Sequence, residues 1–300
     1  MSLTVFLADY ADAPDIIGAL HSQLIGERHR PSPSSASAAS KETAGLRIDA
    51  MATRDRSQIK PILLDDLPLA AGARCHGVRA HDFIFLSGVD AGDSNGKVTP
   101  PATIQFQTAT VLNRIGKILH DQKLSLADLC RTFMFMPSTD FAPRLWRGAQ
   151  KAVYKNIFEE DQFPPNSAST FKTWGRGYSP AFPWPSPTME KQTIVASPKV
   201  RKAPGSFSQS VRVGDWLLQA GQDAVGFNRV VGRLKEISPV RLKSPAACPK
   251  TSSRKPAEAF DDIAKTTVYL IVGQDRSSIH DRLSGAFSPP TSAILQCPRD

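Results

Sequence analysis

Alternation of apolar and polar positions is clearest at residues 210–218. Ser210, Val211, Arg212 and Val213 alternate, Gly214-Asp215 offers turn chemistry, and Trp216-Leu217-Leu218 resumes the apolar run, which predicts a β-hairpin. The same shape occurs upstream, where Asp82-Phe83-Ile84-Phe85-Leu86-Ser87-Gly88 matches Asp215-Trp216-Leu217-Leu218-Gln219-Ala220-Gly221 at a spacing of 133 residues. The echo continues. Residues 126–136 parallel 260–270 at a spacing of 134, and Pro164-Pro165-Asn166-Ser167-Ala168 parallels Pro289-Pro290-Thr291-Ser292-Ala293 at 125. The chain therefore reads as a tandem pair of units, each of about 130 residues and so of ordinary domain size.

Within the first unit, Phe83 to Ser87 predicts a strand and Asp93-Ser94-Asn95-Gly96 a turn. Residues 107–122 set Val111, Ile115, Ile118 and Leu119 on one stripe, with Arg114 and Lys117 off it, as an amphipathic helix requires. A strand at 131–136 ends at Pro137, and a second helix at 141–158 aligns Leu145, Ala149, Val153 and Ile157. Strands at 169–174 and 191–196 follow, separated by a Pro/aromatic loop at 175–187. This order predicts an α+β fold in which two helices cover one face of a mixed sheet.

The second unit departs from that template and reads as incomplete. Between Gly221 and Lys265 lie 43 residues, against 42 between Gly88 and Arg131, but Pro239, Pro245, Pro249 and Pro256 stand near where the helix belongs. An interior proline costs a helix ~3 kcal/mol, so no helix of that length is expected there. Nearly equal length with scrambled composition fits either a shifted reading frame within 233–256 or a genuine surface insertion. The predicted organisation is a disordered extension at 1–60, a first domain at 61–197, and an incomplete second domain at 198–300 carrying a disordered basic insert at 233–256.

Composition narrows the class. No apolar run approaches the ~18 residues of a membrane span, and 41% hydrophobic residues suffice for two modest cores. Cys75, Cys130, Cys248 and Cys297 form no CxxC pair, so neither a zinc site nor a disulfide framework is indicated, and a reducing, cytoplasmic setting is expected. The net charge of +9 sits almost wholly in residues 198–255, much of it beside prolines and serines, which argues for a solvated segment rather than a nucleic-acid-reading face. Cys75, His76 and His81 lack a third ligand at metal-binding spacing, and Trp146, Tyr154 and Phe158 read as packing residues.

Three stretches carry a family resemblance. Ala203-Pro204-Gly205-Ser206-Phe207-Ser208-Gln209-Ser210-Val211-Arg212-Val213-Gly214-Asp215, then Ala220-Gly221-Gln222, then Asp261-Asp262-Ile263-Ala264-Lys265-Thr266-Thr267-Val268-Tyr269-Leu270 resemble the PYSQAV, SGQ and DDVVKTTVYL signatures of the reactive intermediate deaminases, RidA or YjgF. The resemblance implies tandem chorismate-mutase-like units, self-association as a trimer or pseudo-trimer with clefts between units, and hydrolysis of enamines and imines without metal or cofactor. In such chemistry an arginine grips the substrate carboxylate while a positioned water attacks the C=N carbon.

At the position implied for that arginine this chain has Asn166 in the first unit and Thr291 in the second. The aromatic of PYSQ is Phe207, and the family's last-strand glutamate is matched by Gln192, or by Glu190 in a register two residues away. The candidate site is therefore Asn166 and Glu190 as catalytic groups, with Ser87, Gly88, Arg176, Phe207, Ser208, Gly221 and Thr291 binding a small-molecule substrate. Two other outcomes stay open: a binding or assembly protein of the same fold that has lost its chemistry, and a relative of the chorismatases, for which the loop bearing Tyr178, Phe182 and Trp184 is the only sign.

Overall fold

The computed structural model describes residues 2–7, 36–38, 46–51, 57–69, 73, 75–137, 142–171, 192–197, 205–222, 265–269 and 292–296. Strands β1 (Ser2–Leu7), β2 (Ala36–Ala38) and β3 (Leu46–Met51) form a small sheet, with β1 parallel to β2 and antiparallel to β3. They lie where composition predicted an extension without order. Runs such as Leu3-Thr4-Val5-Phe6 are short, and an average over sixty residues dilutes the β-forming preference they carry.

β4 (Ile59–Ile62), β5 (Gly77–Ala80) and β6 (Phe83–Leu86) make an antiparallel meander in which Ile62 faces Gly77, Gly77 faces Leu86 and Ala80 faces Phe83. The predicted turn follows: Asp93 Oδ1 accepts the N–H groups of Asn95 and Lys97, and Gly96 takes the left-handed φ of 74°. Helix α1 (Ile104–Asp121) starts three residues ahead of the expected stripe because Thr103 caps it, its Oγ1 accepting the N–H of Phe106. β7 (Thr132–Pro137), α2 (Ala142–Tyr154) and β8 (Asn166–Phe171) form a β-α-β unit with β7 and β8 parallel.

The main core joins these parts. Val111, Leu112, Ile115, Ile118 and Leu119 of α1 pack with Ile84 and Leu86 of β6, Met134 of β7 and Tyr154 of α2. Tyr154 is fully buried beside Phe158 and Phe163, with ring centroids 4.8 Å and 6.1 Å away, the packing role expected for it.

β9 (Thr193–Val195), β10 (Ser210–Val213) and β11 (Trp216–Gln219) form a second antiparallel meander. Here the expected assignment is corrected. The strand read as the end of the first unit pairs with β10, at the start of the second, and the described strands of the first unit divide between a meander and a β7–β8 pair rather than one mixed sheet. The two meanders share one register at an offset of 133: Ile62 and Val195, Gly77 and Ser210, Ala80 and Val213, Phe83 and Trp216, Leu86 and Gln219 hold corresponding places. β12 (Lys265–Tyr269) and β13 (Ser292–Gln296) pair in parallel, as β7 and β8 do.

The second meander sits against the first unit. Val211 and Val213 form a small cluster with Cys130, flanked by Phe83, Ile194 and Leu218, and Trp216 meets Phe83 edge-on at 6.4 Å. No helix among the described residues is long and apolar enough to cross a membrane.

Candidate functional site

The candidate residues fall in two places. Ser87 and Gly88, at the end of β6, line a half-open cleft of about 290 Å³ including its mouth, with room inside for about one water molecule. Its other walls come from Leu67 and Pro68, from Cys75 and His76 ahead of β5, from Val89 and Asp90, and from Arg114 and Ile118 of α1. Asn166, Phe207, Ser208 and Gly221 do not line it; they lie at a seam between β8 and the second meander.

Backbone bonds shape the cleft. Ser87 N–H donates to the His76 carbonyl at 2.9 Å and Ser87 Oγ to the Cys75 carbonyl at 2.7 Å, which ties β6 to the start of β5. Arg114 Nη1 donates to the carbonyls of Asp90 and Gly92 at 2.6 and 2.7 Å, holding the guanidinium under the loop after Gly88. Burial pulls the Arg114 pKa down while Asp90 and Asp93 hold it up; a guanidinium stays charged at neutral pH. Burial raises the Asp90 pKa, against the opposing pull of the Gly92 N–H and Arg114, whose Nη1 is 3.8 Å from Asp90 Oδ1.

His76 is only 5% exposed. Its Nδ1 accepts the Leu64 N–H at 3.1 Å, and its buried Nε2 has no protein partner among the described residues. Burial lowers its pKa, partly offset by the carbonyls of Leu67 and Pro68, which act on the ring without completing a hydrogen bond to Nε2. Cys75 beside it is pushed up to about 11 by burial, so its thiol is protonated and a poor nucleophile at neutral pH. No group of three or more His, Cys, Asp or Glu with metal-binding geometry occurs among the described residues.

At the seam, Asn166 is 4% exposed. Its Oδ1 accepts from Thr132 Oγ1 at 3.0 Å and its carbonyl accepts the Gly221 N–H at 3.0 Å. Ser167 Oγ accepts from Arg131 Nη2 at 3.1 Å, and a Cβ added to Gly221 would stand 3.1 Å from that same Oγ, so glycine permits the close approach. Ser208 Oγ donates to the Asp161 carbonyl at 3.1 Å, and Phe207 is half-buried beside Gly205. Glu190, Arg176 and Thr291 lie outside the described residues, as do the aromatic loop and the 233–256 insert.

Two cleft residues carry little sequence signal. Arg114 is polar and so stands apart from the apolar stripe, but it is three residues after Val111 and four before Ile118, hence on the stripe's edge, where a long side chain reaches inward. His76 has no third ligand near it in sequence, and the one signal that marks its place is Gln209, 133 residues on at the matching point of the other meander.

Residues 65–174 match the family model described as Endoribonuclease L-PSP, and the chain thus carries a RidA/YjgF segment there. Among solved structures, the chain is similar to a putative endoribonuclease from Thermotoga maritima, at 22% identity over 44% of this chain and 98% of that one, with a TM-score of 0.37. The YjgF gene product of E. coli is similar at 18% identity over 43% of this chain and 98% of that one, and RidA from an Antarctic Psychrobacter at 16% over 43% and 99%, each with a TM-score of 0.37. No curated protein matches the chain.

Proposed function

We propose that the chain is a divergent RidA-like hydrolase of enamines, imines or related small carbonyl-type metabolites, working from the cleft beneath Ser87 and Gly88 without a metal or organic cofactor. The family segment at 65–174 spans β5, β6, α1 and β8, the elements that build both the cleft and the Asn166 seam. The observation that carries the reading is that Arg114 and the buried His76 line one cleft beneath Ser87 and Gly88, with room inside for about one water molecule. Water adds to the C=N carbon, the nitrogen leaves as ammonia, and the cleft contributes position and charge.

In this reading Asn166 holds the seam between units, and Glu190 and Arg176 remain candidates for further polar contacts. The shared register of the two meanders supports a tandem duplication, with assembly through like units as a trimer or pseudo-trimer. Buried Cys75 and Cys130, neither in a disulfide, suit a reducing compartment such as the cytoplasm.

The test is ammonia release from a 2-imino acid generated in situ by an amino-acid oxidase with catalase present. Addition of the full chain should raise the rate above the spontaneous one. A rate equal to the spontaneous one selects the second reading, a binding or assembly protein, which the burial of neutral Asn166 against Thr132 favours.

A further inference from the structure

We draw no further inference here: the strongest candidate, the buried pair Gln150 and Tyr154 one turn apart on α2, whose amide and hydroxyl complete no hydrogen bond among the described residues, carries nothing, because the Gln150 amide already acts on the Tyr154 hydroxyl and nothing in the structure shows a space beside them for a ligand.

Discussion

His76 and Gln209 occupy the same point of two meanders that share one register. Leu64 N–H donates to His76 as Ser197 N–H donates to Gln209, and Ser87 N–H donates to the His76 carbonyl as Ala220 N–H does to that of Gln209. The frame is therefore common to both, and the difference is confined to side chains. Gln209 closes on both polar groups of one backbone residue, whereas His76 closes on one and leaves Nε2 toward a cleft. The first meander also packs against α1; the second packs through a few side chains near Cys130. One backbone pattern can thus line a cleft in one place and make a structural contact in another, according to which hydrogen bonds the side chains leave unmade.

The largest effects that sharpen this contrast lie in the two cores. Leu119→Ala, at a fully buried site of α1, should cost about 2–5 kcal/mol. Val211→Ala in the small cluster should cost about 2 kcal/mol, from two methyl groups at ~0.8 kcal/mol each plus a small cavity. Urea unfolding gives both values, and a Val211 cost equal to that of Leu119 would show the two meanders to be anchored alike.

A smaller effect sits at one shared position. Gly77 corresponds to Ser210, but a Cβ at Gly77 would lie 2.9 Å from the Phe85 carbonyl oxygen and 3.0 Å from Leu86 Cδ2. Gly77→Ser should cost about 1–3 kcal/mol through overpacking, and Ser210→Gly about 0.5–1 kcal/mol through backbone entropy. Matching losses in thermal unfolding would mean that the two strands are packed equally closely.

The smallest effect concerns pH. Burial holds the folded His76 ring below its ordinary 6.5, so the unfolded chain takes up the proton first as pH falls. This contribution to stability is fully present above 6.5 and declines as pH drops toward the folded value. His76→Gln should flatten that part of the stability–pH curve, and an unaltered slope would assign the dependence to another group.

Much of the fold was legible locally. The hairpin at β10–β11 appears within a residue of its expected limits, because alternation and Gly214-Asp215 need only neighbours to act. Helix α1 was legible from its stripe, though the Thr103 cap moved its start. The partner of β9 was not, because a strand of three residues carries no mark of which edge it joins. The candidate site was legible only in Ser87 and Gly88, which turn a strand into a loop; the groups facing them from His76 and Arg114 were hidden.

Periodicity, turn chemistry and the recurring offset of 133 are properties of the chain in order, and they specified the two helices and the repeated hairpin, though not the strands β1 to β3. Chain folding alone decided that β9 joins the second meander, that Asn166 and Gly221 meet at a seam, and that His76 and Arg114 share a cleft. The reason is that a hydrogen bond made or left open, and the burial that gives it consequence, depend on groups brought together from distant parts of the chain.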